Sequence, residues 1–246
     1  MLENISPSQL VYFFFFYSFI GWIVDVLYTL YDEKKLVNRG FLSGPFCPIY
    51  AFGALTLLTL LKPFTGNPIL VIVGSLLITS SIEYFTGLAL ETIFKTKWWD
   101  YSHKKFNLHG RICLEISIYW ALAGAFVFYF IHPQVISATN KIIATFPFYF
   151  IYLIVIYFII DFTHAIDSLI DLKIIHITFN NLKDKYKEDL QEFKNKHLSK
   201  IDFENIKEKF EDKQEQIYNN FRNRHQRFLQ AFPNIKHIIK RTKKIN

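Results

Sequence analysis

Residues 10–31 read LVYFFFFYSFIGWIVDVLYTLY, an apolar run interrupted by a single acid, Asp25. A transmembrane helix needs about 20 mostly apolar residues. Four further apolar runs cover residues 46–61, 69–94, 112–131 and 142–160. The run at 46–61 is short, but it gains length if Phe41 and Leu42 lie in the membrane interface. Because the 246-residue chain is 51% hydrophobic, we predict an all-α, polytopic membrane bundle of about five transmembrane helices rather than a soluble domain.

The basic residues alternate sharply between the segments that connect these runs. The four connecting segments hold 3, 1, 5 and 1 Lys and Arg, and the segment from Lys173 onward holds 18. Since cytoplasmic loops are enriched in Lys and Arg, this pattern predicts an inner-membrane protein with its N-terminus outside and its C-terminus in the cytoplasm. An alternative makes residues 46–61 a re-entrant hairpin, which leaves four spans and the N-terminus inside. That alternative places the three cations of the first connecting segment outside, so we prefer five spans.

Several ionisable residues lie inside the apolar runs or at their ends. They are Asp25, Glu83, Glu91, Glu115, Asp161 and His164. An Asp at the centre of a spanning helix costs roughly 2.5–3.5 kcal/mol, and such residues usually face the bundle interior or a water-filled cavity. Glu83 and Glu91 share one helical face because they are eight residues apart, and Arg111 and Glu115 have the spacing of helical neighbours. The spacing favours a shared polar cavity at the cytoplasmic leaflet; the alternative is that each acid sits near a wet helix end.

Two polar connecting segments border the same leaflet in the five-span topology. The first connector, residues 38–48, reads NRGFLSGPFCP, and the second connector, residues 98–111, reads WWDYSHKKFNLHGR. Gly and Pro in the first predict a defined turn, and Trp and Lys in the second are typical of a membrane interface. Each carries Asn, Gly and Arg and leads to a Cys, which suggests a two-fold repeat of the kind found in transporters. The candidate substrate-binding residues are Asp25, Asn38, Arg39, Glu83, Asp100, Asn107, His109, Arg111, Glu115, Asp161 and His164.

Other chemical signatures are lacking from the sequence. It has no P-loop, no dinucleotide-binding fingerprint, no nucleophile elbow and no zinc-site spacing. We therefore expect no cofactor and no metal. The two cysteines, Cys47 and Cys113, suit a reducing compartment rather than a disulfide framework.

Residues 173–246 form a predicted second domain, after a transmembrane domain of residues 1–172. Apolar residues recur there at spacings of three, four and seven, which predicts two amphipathic helices in a cytoplasmic hairpin. The hairpin would pack on itself, on another copy of the chain or on the membrane surface. Nucleic-acid binding is not expected, because the basic residues are spread among acids.

The two connectors and the end of the first run resemble a known family of integral membrane proteins, the CmpB-like family named "Putative ABC-transporter type IV". The resemblance spans roughly residues 10–130. It is carried by Gly21, Trp22 and Asp25 (where the family often has Glu), by residues 38–50, and by residues 98–102, 106–107 and 110–114. The resemblance implies a permease, with ATP use supplied by a separate ATPase subunit.

Three functions remain open from the sequence. The first is a permease or transporter with a cytosol-facing site, in which the acids hold a cation or a proton and the arginines hold an anionic group or the acids themselves. The second is a membrane-embedded enzyme acting on a lipid or isoprenoid headgroup, with Asp100, His109 or His164 as acid or base. The third is a non-catalytic scaffold that recruits partners, or a second copy of the chain, through its C-terminal helices.

Overall fold

The computed structural model describes residues 5–34, 36–38, 40, 42–94, 97–196, 200–226 and 229. Arg39, a candidate site residue, lies outside these described residues. The helices are α1 (Pro7–Glu33), α2 (Pro48–Leu60), α3 (Pro68–Phe94), α4 (Leu114–Phe126), α5 (His132–Thr145), α6 (Phe150–Lys196) and α7 (Lys200–Arg224). A 3₁₀ turn (Lys62–Phe64) follows α2, and two short strands, β1 (Asn107–Leu108) and β2 (Ile112–Cys113), pair antiparallel before α4.

Within the part of the chain that the structure describes, four helical segments are long and apolar enough to cross a membrane. They are Pro7–Tyr31, Pro68–Ile93, Leu114–Thr145 and Phe150–Asp171, and the shorter apolar helix Pro48–Leu60 accompanies them. The predicted all-α, multi-pass membrane fold is therefore confirmed. The short helix is the run whose length was already marginal in the sequence.

The last two apolar runs have different bounds from those predicted. A π-helical turn (Val127–Ile131) joins α4 to α5, so the helix continues where the predicted run ended. Pro133 lacks an N–H group and needs room beside the preceding turn, and such a widened turn can provide that room. The chain breaks instead around Pro147, between the end of α5 and the start of α6.

The core of the bundle lies where α1 and α2 meet the middle of the α4–α5 segment. Its buried members are Phe13, Tyr17, Ala51, Leu57, Leu58, Leu61, Val71, Phe128 and Val135. α1 packs chiefly against α2, and α3 against α4. Small residues permit these close approaches, because a Cβ at Gly21 would collide with the Tyr50 ring and one at Gly124 would press on Leu57 and Ser75.

Contacts divide the chain into two units, Met1–Ala165 and Ile166–Asn246. In the second unit α7 packs back along α6. The rings of Tyr186 and Phe210 stack with their centroids 4.4 Å apart, and His225 Nε2 lies 2.8 Å from Asp171 Oδ2. The C-terminal helices thus form a hairpin that packs on itself. The domain boundary expected between residues 172 and 173 remains a prediction.

Candidate polar site at the connector end of the bundle

The first connector folds back alongside α1 instead of staying beyond its end. The Cys47 N–H donates to the Ser18 carbonyl at 2.9 Å. Ser18 lies 15 residues before the last residue of α1, which is about 22 Å along the helix at 1.5 Å per residue. Leu42, Phe46 and Cys47 are buried. The connector therefore inserts irregular backbone deep into the bundle, where its polar groups need partners within the protein.

Asp161 supplies two of those partners. Its Oδ1 accepts from the Ser43 N–H and its Oδ2 from the Gly44 N–H, each at 2.8 Å. The side chain is only 6% exposed. A Cβ at position 44 would collide with the Tyr157 hydroxyl and press on Asp161, so glycine is required for the carboxylate to reach both N–H groups. Asp161 thus holds the connector in place by charge-assisted hydrogen bonds.

Asn38 organises the same connector from its other end. Its Oδ1 accepts from the Trp22 indole at 3.0 Å and from the Gly40 N–H at 2.9 Å. Its Nδ2 donates to the Ser43 carbonyl at 3.0 Å. Because these bonds engage its amide with the protein itself, Asn38 shapes the connector, and its role in substrate binding remains a prediction.

Asp25 lies where α1 passes the start of α2. The Tyr50 hydroxyl donates to its Oδ1, and the Cys47 thiol donates to its Oδ2 at 3.4 Å. The missing side chain of Gly21, one turn before Asp25, leaves the space that the Tyr50 ring occupies. Two weakly acidic donors therefore face this half-buried carboxylate.

Glu83 on α3 also accepts hydrogen bonds from aromatic side chains of other segments. The Tyr101 hydroxyl donates to its Oε1 at 3.2 Å, and the Trp120 indole faces the same carboxylate. Its second oxygen, Oε2, is buried with no hydrogen-bond partner of normal geometry among the described residues. Burial raises the pKa of Tyr101, and the neighbouring Glu83 charge adds to the rise, so the phenol stays protonated and donates.

The two acids belong to one group of side chains. The rings of Tyr50 and Trp120 pack edge to face with centroids 5.6 Å apart, which joins the Asp25 side to the Glu83 side. We call Asp25, Tyr50, Glu83, Tyr101 and Trp120 the carboxylate cluster. It draws side chains from α1, α2, α3, α4 and the second connector, and its acids were predicted from sequence.

Arg111 pairs with Glu91 and not with Glu115. Arg111 Nη2 lies 2.7 Å from Glu91 Oε2. Glu115 instead receives the Lys104 ammonium at 3.0 Å on both of its oxygens. The expected four-residue pairing fails because Arg111 precedes the first residue of α4, so no helical turn relates it to Glu115. Its guanidinium therefore holds an acid, one of the two roles expected of the arginines, and its part in substrate binding remains a prediction.

The α3 face that carries Glu83 and Glu91 packs against the second connector. Between the two acids, Gly87 lies against Trp99 and Arg111. The Trp99 indole donates to the Arg111 carbonyl at 2.8 Å. This tryptophan therefore supports the connector by a hydrogen bond to the protein.

Asn107 and Asp100 shape the turns of the second connector. Asn107 Oδ1 accepts from the Gly110 N–H at 3.0 Å. Burial alone would raise the pKa of Asp100, but hydrogen bonds from the Ser102 hydroxyl and N–H and from Lys97 outweigh it and leave the pKa below its usual value. Asn107 and Asp100, both candidate site residues, therefore form hydrogen bonds that hold the turns of the second connector.

The two candidate histidines lie apart from the carboxylate cluster's hydrogen bonds. His109 has a left-handed backbone with φ 56°, and its Nδ1 lies 3.1 Å from the Tyr84 hydroxyl. His164 follows Asp161 by one turn on α6, and its side chain is exposed. Among the residues that the structure describes, no three His, Cys, Asp or Glu side chains come close enough to hold a metal ion.

One buried ionisable residue escaped the sequence analysis. His132 is 0% exposed and its Nδ1 lies 2.7 Å from the Tyr17 hydroxyl, while its Nε2 has no partner among the described residues. Tyr50, Tyr101 and Trp120 were also missed. The only signal for His132 in the sequence was its position one residue past an apolar run. The aromatic donors gave no signal, since aromatic residues are frequent throughout the chain.

Comparison with known proteins agrees with the architecture. The family model described as "Putative ABC-transporter type IV" matches residues 12–166. No curated protein and no solved structure matches the chain. The matched region contains the apolar helices, both connectors and the whole carboxylate cluster, and it covers more than half of the sequence. The chain belongs to the "Putative ABC-transporter type IV" family of membrane proteins.

Proposed function

We propose that this protein is a permease-type membrane component whose carboxylate cluster binds a cation or a proton. The observation that carries the proposal is the Glu83 carboxylate inside the bundle: Tyr101 donates to Oε1 at 3.2 Å, and the buried Oε2 has only the Trp120 indole facing the carboxylate, without a hydrogen bond of normal geometry among the described residues. A buried carboxylate oxygen that lacks a well-formed hydrogen bond is costly, and ionisable groups inside membrane helices commonly mark ion or proton pathways. A cation or a proton would satisfy that oxygen, and Asp25 would provide a second carboxylate nearby.

The distribution of basic residues supports access to the cluster from the cytoplasm. The connectors that contribute Cys47 and Tyr101 belong to the Lys- and Arg-rich segments, which favours the cytoplasmic side for this end of the bundle. We infer that the N-terminus lies outside, the C-terminus lies in the cytoplasm and the cluster is reached from the cytoplasm. A separate ATPase subunit, and a second copy of this chain on the C-terminal helices, are the partners we propose.

Ion flux into proteoliposomes tests the proposal. The full-length protein would be reconstituted with an internal pH dye and, in parallel, with radioactive Na⁺ or Rb⁺ outside. We expect flux of at least one of these ions with the wild type and at least a tenfold loss in Glu83→Gln, since the amide keeps the shape and removes the charge. Glu208→Gln is the matched control, because that exposed acid lies on α7, outside the candidate membrane spans.

Two results would contradict the proposal. One is flux in Glu83→Gln equal to that of the wild type, with both proteins unfolding at the same temperature. The other is turnover of a labelled lipid headgroup by the purified protein that is lost in His109→Ala, which would favour the membrane-embedded enzyme instead.

A further inference from the structure

A shallow cleft opens beside the second connector. It is lined by Lys105, Phe106, Leu114, Glu115 and Ile118. Its apolar members are widely accessible, with Phe106 81%, Leu114 48% and Ile118 43% exposed. The cleft therefore combines an apolar wall with charged residues at its edge, and it is separate from the carboxylate cluster.

The apolar wall continues along one face of α4. Ser117, Ala121 and Gly124 form the buried face of this helix. On an adjoining face Leu114, Ile118, Leu122 and Phe126 are exposed and recur every four residues, so they form one stripe. In a membrane-spanning helix such an exposed apolar stripe faces acyl chains, and the cleft lies at the connector end of that stripe.

Backbone hydrogen bonds hold Phe106 beside the connector end of this apolar stripe. The Leu114 N–H donates to the Phe106 carbonyl at 3.2 Å, and the strand pair directly follows, with Asn107 opposite Cys113. Phe106 has a φ of 52°, a left-handed conformation that is uncommon for a bulky side chain. The ring is thus presented beside the stripe by a fixed hairpin and not by a freely moving chain.

The charges at the edge favour an anion. Glu115 is compensated, because Lys104 Nζ lies 3.0 Å from both of its oxygens. Lys105 is exposed and forms no ion pair within the described part of the chain. Lys105 is therefore a cation without a carboxylate partner among the described residues, at the end of the acyl-chain stripe. The phosphate of a phospholipid lies at the same level of the membrane.

We propose that this cleft binds an anionic phospholipid. Its phosphate lies on the Lys105 ammonium, and one acyl chain runs along Leu114 and Ile118 with the Phe106 ring against it. The site does not depend on transport, so it stands or falls independently of the function proposed above.

Native mass spectrometry of the full-length protein tests this assignment. Phosphatidylglycerol and phosphatidylcholine with identical acyl chains would be titrated separately into the delipidated protein. We expect the wild type to bind the first phosphatidylglycerol at least fivefold more tightly than phosphatidylcholine. Lys105→Gln should abolish this preference, Lys105→Arg should keep it, and Phe106→Ala should weaken both lipids by a similar factor.

Lys141→Gln is the matched control, since Lys141 is an exposed cation on α5, away from the cleft. It should leave the preference unchanged, and all variants should unfold at the wild-type temperature because the substituted residues are exposed. Three results would overturn the proposal. They are equal binding of the two lipids by the wild type, an undiminished preference for phosphatidylglycerol in Lys105→Gln, and a loss of that preference in Lys141→Gln as large as in Lys105→Gln.

Discussion

Position 21 on α1 has room for a hydrogen atom and no more. A Cβ there would collide with the ring of Tyr50, the residue whose hydroxyl donates to Asp25. We expect Gly21→Ala to destabilise the protein by about 1–3 kcal/mol through overpacking. Thermal unfolding in detergent would measure the effect.

Gly53→Ala provides the comparison for this prediction. A Cβ at Gly53 on α2 meets nothing within 4 Å, so the variant should be neutral or gain up to about 1 kcal/mol from better helix propensity. Similar unfolding temperatures for the two variants would mean that Tyr50 can move aside and that the close approach is not needed for stability.

The residues of the candidate site differ in how far the sequence could predict them. Asp25, Glu83 and Asp161 stand out because a charge inside an apolar run is visible without any structure. Their partners depend on tertiary contacts: Tyr50 and Tyr101 reach the acids from other segments of the chain. The pairing of Arg111 with Glu91 instead of Glu115 likewise depends on where α4 begins. Helix boundaries are the least reliable part of a sequence-based prediction.

Among the structural elements, the first connector depends most on a single side chain. Asp161→Asn keeps one acceptor oxygen and turns an amide N–H group toward the second backbone N–H. We expect a loss of about 1–3 kcal/mol, which corresponds to roughly tenfold to hundredfold more frequent opening of the connector. Cys47, 6% exposed in the connector, should react correspondingly faster with a thiol reagent in a Cys113→Ser background.

Asp167→Asn serves as the control, because Asp167 is an exposed acid on the same helix. It should leave the Cys47 rate unchanged. If Asp161→Asn also left that rate unchanged, the two backbone hydrogen bonds would not be what keeps the connector inside the bundle.

The second connector should respond to acid. The pKa of Asp100 is lowered in the folded protein by Ser102 and Lys97, so its contribution to stability is present above the unfolded-state pKa of about 3.9 and is lost as the pH falls through the lower folded value. We expect acrylamide quenching of the connector tryptophans to increase below about pH 4. Asp100→Asn should already show the increase at pH 7.

The size of this effect is small, because Asp100 is largely exposed and its ion pair is screened by solvent. Asp184→Asn removes another exposed ion pair, with Lys187 in the C-terminal hairpin, and should not alter the quenching. A wild-type connector whose quenching is the same from pH 3 to 7 would show that Asp100 does not organise it.

The elements themselves were predictable in number and kind, but not in all of their bounds. Hydropathy finds apolar runs, and those runs correspond to α1, α2, α3, α4 and the start of α6, but not to α5. It could not find the continuation of the helix past Ile131, because His132 and Pro133 together resemble a loop. The π-helical turn accommodates the proline, and the core provides the space in which His132 is buried.

At the scale of the whole molecule, the open question is which end of the bundle faces the cytoplasm. At one end of the bundle, Gln9 near the start of α1 donates to Asn140 on α5 at 3.1 Å. At the connector end, Tyr101 of the second connector donates to Glu83 in the C-terminal half of α3. α2 has 13 residues, about 20 Å of helix, against a hydrocarbon thickness of about 30 Å. The side of the membrane on which the segment between α1 and α2 lies therefore decides between five crossings and four.

Thiol labelling of intact cells with a membrane-impermeant maleimide resolves both points. The native cysteines give little background because Cys47 and Cys113 are buried. We expect Gly66→Cys, in the exposed turn after α2, to be labelled from outside, and His103→Cys, exposed in the second connector, to be labelled only after lysis. Leu36→Cys, exposed between α1 and α2, separates the two topologies: labelling only after lysis would indicate five crossings, and labelling in intact cells would indicate four. Labelling of His103→Cys in intact cells would place the connectors outside, and the cytoplasmic access to Asp25 and Glu83 on which the proposed function depends would be lost.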